Sequence, residues 1–274
     1  VPITDLAIKD NNLIVATQGR SLWVIDDLTL IHQLNNNLSS KSAHLFKPMD
    51  GYKMGRTGER ESLKMGQNHH SGIKVFYYLK EKPAKGDTVT LSFLEANGNV
   101  IKKYSTADKE NMLKASAGSN SFVWNMRYKD AEGFDGLIMW SGGLNGPTAE
   151  IIEQFDFLIS VRDKLTETHK TIKEIREVRK QLMSFKNRVE EKESMKDLLS
   201  EVDSINNRMT KVEESLYQTK NRSNQDPLNF PIRLNDKLSG LNRVNSVGEW
   251  KPTAQSNAVK NELVNLINQE RKMR

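Results

Sequence analysis

Leu198, Val202, Ile205, Met209, Val212 and Leu216 follow one another at alternating intervals of four and three residues, the apolar seam of a helix that packs against another helix. Upstream, Ile151, Leu158, Leu165 and Ile172 recur every seven residues, with Phe155 between the first two. Arg162 and His169 occupy intermediate seam positions, and the seam resumes at Ile175, Leu182, Phe185 and Val189. The two runs form either one continuous rod or a hairpin that breaks near Lys186–Met195. Charge favours the hairpin. Residues 162–188 hold nine basic and four acidic residues, and residues 190–203 hold six acidic and two basic, so folding back sets a basic helix end beside an acidic helix start. That placement also suits both helix dipoles. Two prolines within Asp226–Pro231 interrupt the helical pattern. A third helix is expected over Ile232–Val244 and a fourth from Thr253 to Lys272, with Val259, Leu263, Leu266 and Ile267 on one face. Four helices with short connections predict an antiparallel bundle.

The first half is patterned differently. Residues Asp5–Lys9, Leu13–Thr17 and Leu22–Asp26 read as three short strands, with turns at Asp10-Asn11-Asn12 and Gln18-Gly19-Arg20. A three-stranded meander of this size does not stand alone and needs neighbouring strands. Residues 35–71 are polar, with one apolar element at His44–Pro48, and read as a linker. Beyond it, Ile73–Leu79, Thr88–Glu95, Val100–Tyr104, Ser121–Arg127 and Leu137–Trp140 are expected as strands, with a hairpin turn at Ala96-Asn97-Gly98-Asn99. Val89, Leu91 and Phe93 alternate with Thr88, Thr90 and Ser92, as in a half-buried sheet.

Glycine usage marks the same division. Fourteen of the 16 Gly precede Pro147, and none lies between Pro147 and Leu238. The boundary expected from this is Gly142–Pro147, followed by Thr148 as N-cap with Glu150 close behind. The predicted fold class is α+β multidomain: a sheet fragment over 1–34, a linker over 35–71, a β-sandwich over 72–147 and a helical bundle over 148–274 whose long hairpin spans about 148–220.

Composition narrows function by exclusion. The net charge of +6 divides as +3 for residues 1–147 and +3 for residues 148–274, so there is no basic arm or basic domain, and a nucleic-acid partner is not expected. No apolar run is long enough for a transmembrane helix. Without Cys there is no disulfide, thiol nucleophile or thiolate metal site. The chain opens at Val1-Pro2, with neither Met nor a signal peptide, and reads as a fragment or processed piece.

Several segments carry a resemblance. Val1–Leu28 (VPITDLAIKDNNLIVATQGRSLWVIDDL) resembles the closing blade of large bacterial sortilin-type, Asp-box-repeat β-propeller proteins, a family often described as glycosyl hydrolases. Ala43–Pro48 (AHLFKP) resembles the linker leaving that propeller. Gly66–Pro83 and Asn120–Ala131 resemble the immunoglobulin-like sandwich that follows, and Gln154–Leu182 and Asp226–Leu241 resemble the family's helical C-terminal region. The resemblance implies a propeller-blade fragment at 1–34, an immunoglobulin-like sandwich at 72–147 and an extracytoplasmic location, in the periplasm or at the cell surface. It implies a non-catalytic accessory region that braces the propeller and offers a protein- or glycan-binding surface, the missing blades being its first partners. The alternatives are the tail of a sialidase-like exported hydrolase and a coiled-coil adaptor. The chain departs from the family in carrying one blade only. It also enters a helix directly after Gly146-Pro147, where the family adds a further strand pair, which leaves the sandwich incomplete with an unpaired edge.

Candidate chemistry is sparse. A sialidase-like site needs an arginine cluster with carboxylate and tyrosine groups spread over many blades, and only Arg20, Asp26 and Asp27 remain here. Arg20 is expected to anchor the turn, and Asp26-Asp27 to cap the strand exit. The Asp-box pattern, phosphate-binding Gly loops and catalytic Ser or His motifs do not occur. No catalytic residue, cofactor site or metal site is assigned. His69-His70 has no adjacent acid and points to opposite sides if extended, so it is not a metal site. His169 is expected to be a satisfied interface histidine, and Trp23, Trp124 and Trp140 core residues. The candidate interaction surface is the basic run Arg162, Lys173, Arg176, Arg179 and Lys180, read either as a polyanion patch or as a solvated helix paired with its acidic neighbour. The helical seam would serve equally for homo-oligomerisation.

Overall fold

A computed structural model describes residues 1–35, 37–51, 70–140, 143–148, 151–189 and 191–272. The protein is mixed α+β, with small antiparallel sheets followed by a long helical region. It divides into two compact units, Val1–Arg127 and Tyr128–Arg274.

In the first unit, β1 (Ile3–Lys9), β2 (Asn12–Thr17) and β3 (Leu22–Ile25) form an antiparallel meander. Its first turn holds Asp10 and Asn11 at φ 50° and 64°, the left-handed pair that matches strand twist in a tight hairpin. The Asp27 carboxylate accepts from the Thr29 amide at 2.9 Å, a local turn bond leading into the short helix α1 (Thr29–His32). The Gln33 amide side chain exchanges two hydrogen bonds with the Lys47 backbone, at 2.9 Å each, and thereby ties α1 to the chain that leaves β4 (Ala43–Leu45).

β4, β5 (Ile73–Leu79) and β8 (Gly118–Trp124) make a second sheet, and β6 (Thr90–Leu94) and β7 (Val100–Ser105) a hairpin. Alternation along β5 turns Val75, Tyr77 and Leu79 into one core with Leu91, Tyr104, Leu113 and Trp124. Phe93 stacks on Trp124 at 4.3 Å between ring centroids, and Tyr104 tilts against Phe122 at 4.4 Å. The expected strand at Leu137–Trp140 is absent: those residues have no ladder partner.

The second unit contains α2 (Ile152–Val189), α3 (Lys196–Leu216), α4 (Leu234–Asn245) and α5 (Ala254–Lys272). The rod reading is excluded, since α2 stops at Val189 and the chain turns back into α3. Lys186 pairs with Asp203 at 2.6 Å and Arg179 with Glu213 at 2.6 Å, so the two helices run antiparallel. Leu158, Val161, Leu165, Ile172 and Ile175 from α2, Met209, Val212 and Leu216 from α3, Leu238 from α4, and Leu263 and Ile267 from α5 share one core. On α5 only Leu263 and Ile267 of the expected four-residue face are buried, while Val259 and Leu266 are exposed. α2 begins at Ile152 rather than at Thr148, and Glu150 lies outside the described residues.

The unit boundary corrects the expected one. Residues 128–147 belong with the helices and not with the preceding strands. Its described residues, 128–140 and 143–147, form a strap without regular secondary structure, and helix side chains take up backbone polar groups along it. Carbonyls of Lys129, Glu132, Asp135 and Gly136 accept from Arg162, His169, Arg176 and Tyr217. Amides of Glu132 and Trp140 donate to Thr166 and Asp236, and carbonyls of Gly143 and Asn145 accept from Ser239 and Asn242. Ala131 and Phe134 enter the helical core. Where an irregular segment is covered by its neighbours it needs such partners, because an unpaired backbone group away from water costs about as much as a lost hydrogen bond.

Candidate interaction surface

Of the five basic residues singled out, the structure converges two. Arg176 Nε donates to Glu213 Oε1 at 2.7 Å, and Arg179 Nη1 to Glu213 Oε2 at 2.6 Å. Glu213 is buried, so its carboxylate is neutralised from two sides. The Arg176 guanidinium also lies over the rings of Phe134, at 4.7 Å, and Tyr217, at 5.5 Å. Arg179 adds bonds to Asn206 and Thr210 on α3. Arg162 turns aside to Asp163 and the Lys129 carbonyl. These three arginines hold the fold, and only Lys173 and Lys180 stay fully exposed. The five therefore make no joint patch, and charge spacing along one helix could not reveal that, since the decisive partner, Glu213, sits on another.

His169 is fully buried. Its Nδ1 lies 2.6 Å from the Glu132 carbonyl and so carries the proton, and its Nε2 faces the Asn235 amide at 3.4 Å and accepts from it. Burial pushes its pKa below the ordinary value of 6.5, against the opposing pull of the Glu132 bond. The unfolded chain therefore protonates His169 first on acidification. The stability that neutral His169 contributes is complete above pH 6.5 and lost as pH falls from there through the folded value. Chemical denaturation of the parent and of His169→Gln at several pH values is expected to show the parent's advantage shrinking between pH 7.5 and 5. A constant difference would remove His169 from the acid response. His69 lies outside the described residues. Among the described residues no group of three or more His, Cys, Asp or Glu is placed to share a metal ion, and no helix is long and apolar enough to cross a membrane.

The β1–β3 sheet of the first unit exposes Ile3, Leu6, Ile8, Leu22, Trp23, Val24 and Ile25, and it has two faces. Register places Leu6, Val15 and Trp23 in one cross-strand row and Ile8, Leu13 and Ile25 in the next row of the same face. Ala7, Ile14 and Val24, with Ala16 and Leu22, line the other. β1 and β3 are exposed throughout and β2 is half-buried. Trp23 is 57% exposed and Trp140 51%, which corrects their assignment to the core; Trp124 alone of the three is buried. The Arg20 carbonyl accepts from Trp23 Nε1 at 3.0 Å, which fixes the indole over the second turn. A sheet with one solvated face alternates apolar and polar residues, whereas this one carries apolar residues on both, with Asp5 and Lys9 of β1 interrupting the second face.

No protein-family model, no curated protein and no solved structure matches the chain.

Proposed function

We infer that the chain is a non-catalytic accessory region of an exported β-propeller protein. In this reading the β1–β3 sheet is a closing blade, residues 72–127 contribute an immunoglobulin-like sandwich, and the helices form an antiparallel bundle. The assembly braces the propeller and offers a protein- or glycan-binding surface outside the cytoplasm. One observation carries the reading: the meander presents apolar residues on both faces, and its two outer strands are exposed throughout. A propeller blade is a sheet packed between two others, and such a sheet needs apolar residues on both sides.

The test is made on the native protein. An antibody against the second unit, applied to fractionated cells of the source, is expected to find the sequence in the extracytoplasmic fraction. It should sit there within a polypeptide or complex clearly larger than 274 residues. Hydrogen exchange in that species is expected to be slow at β1 and β3 amides that exchange freely in the isolated 274-residue chain. A native species no larger than the chain, with the sheet equally open, overturns the reading.

A further inference from the structure

The hairpin of α2 and α3 extends past the helices that pack on its base. α4 reaches α2 through Asn235 at His169, and α5 through Arg271 at Thr171. The buried residues of α2 end at Ile175. From there to the turn, α2 carries Val178, Leu182, Phe185 and Val189 at intervals of four, three and four, and α3 answers with Leu198, Val202 and Ile205. Of these only Val202 is buried, while Val178 is 42% and Leu198 43% exposed. Two helices alone leave such a seam half-open.

The two flanks of the seam differ. Residues one step after a seam position close one flank within the chain: Arg179 follows Val178, Lys186 follows Phe185 and Glu213 follows Val212, and their ion pairs are those described above. Residues one step before a seam position stand on the other flank: Arg188 before Val189 and Glu201 before Val202. Both are exposed. Arg188 Nε donates to the Ser184 carbonyl at 3.2 Å, and Glu201 makes no ion pair among the described residues. The Lys186–Asp203 pair sets the register, so Arg188 and Glu201 stand level across the hairpin with opposite charge.

We propose that this open seam is the docking site for a second copy of the same hairpin, with α2 of each copy against α3 of the other. A twofold pairing is self-complementary: Arg188 of each copy meets Glu201 of the other, while the apolar stripes cover one another. The free stretch of each helix is about 14 residues, or roughly 21 Å. That is a small interface, at the low end for specific association, so the dimer forms in a concentration-dependent equilibrium with monomer. The proposal is independent of the propeller reading.

The experiment is sedimentation equilibrium of the full chain over a concentration series, with Arg188→Glu, Glu201→Lys and an equimolar mixture of the two. The parent is expected to pass from monomer to dimer. Each variant alone faces like charges across the interface, and its dissociation constant rises at least about tenfold. In the mixture opposite charges meet again at both contacts, and dimer returns near the parent's concentration. A parent that stays monomeric throughout overturns the proposal. So does association that both variants leave unchanged, as association through the β1–β3 sheet would be, or a mixture that fails to recover. Both positions are exposed, so unchanged helical circular dichroism is the control for folding.

Discussion

Glu213→Ala is expected to cost the helical unit about 3 kcal/mol, because it strands two arginines whose side chains are only 35% and 27% exposed. Removing one partner of a buried ion pair costs more than the pair contributes, since the remaining charges keep their desolvation without their compensation. For a unit of this size the midpoint of thermal unfolding should fall by roughly 6–12 °C. The comparison that isolates the cause is Glu213→Ala made in an Arg176→Ala/Arg179→Ala background, where the same change should cost under about 1 kcal/mol. Equal costs in both backgrounds would mean that Glu213 acts through packing and that the two arginines are bystanders.

The second large effect is expected at Phe134→Ala. Phe134 is the strap's main anchor: its ring meets His169 edge-on at 5.1 Å and Tyr217 at 5.0 Å, and lies beneath Arg176. Truncating a buried phenylalanine typically costs about 3–5 kcal/mol. Here the consequence should be local as well as global. Without the ring, the bonds from His169, Arg176 and Tyr217 to the strap lose the group that positions them. Hydrogen exchange at Ile138 and Trp140, whose amides donate to Tyr217 and Asp236, is expected to accelerate far more than exchange at the centre of α3. If both sets of amides accelerate alike, the strap and the helices open as one piece and Phe134 is an ordinary core residue.

Much of the fold was legible where structure is written in local periodicity. The seam from Leu198 to Leu216 and the break before Met195 fall where the intervals place them, whereas α3 already ends at Leu216, ahead of the prolines within Asp226–Pro231 that were expected to stop it. Strand limits were found to within a few residues, as with Ile73–Leu79, which matches β5. What failed was nonlocal. Leu137–Trp140 has the residues of a strand, but its amides find Tyr217 and Asp236 before any ladder partner. Their distance in sequence hides them from any window. Glycine usage misplaced the unit boundary for the same reason: Gly146 is where the strap's backbone runs against the Tyr128 and Lys129 carbonyls, leaving no room for a Cβ, rather than the end of a sheet domain. The basic run on α2 was visible as charge, yet its division into structural arginines and solvated lysines depends on Glu213. Trp23 was misassigned because a strand apolar on both faces looks buried whether or not its neighbours are present.

The tether at the start of α2 bears on the order in which the protein can be made. Gln154 donates to the Asn245 carbonyl at 2.7 Å and to the Gly248 carbonyl at 2.9 Å, and Ile267 fills the core between helices that are finished by Leu216. On the ribosome, α2 and α3 can pair as soon as Leu216 has emerged. About 50 further residues must be translated before Ile267 can dock, which at 5–20 residues per second is on the order of 3–10 s. Through that interval the hairpin exists with its base as open as its tip, and a nascent chain on one ribosome presents the same apolar stripe as its neighbour on the next. Polysomes are thus where the two ends of the hairpin compete for cover, and α5, synthesised after α2, α3 and α4, decides which end is sealed.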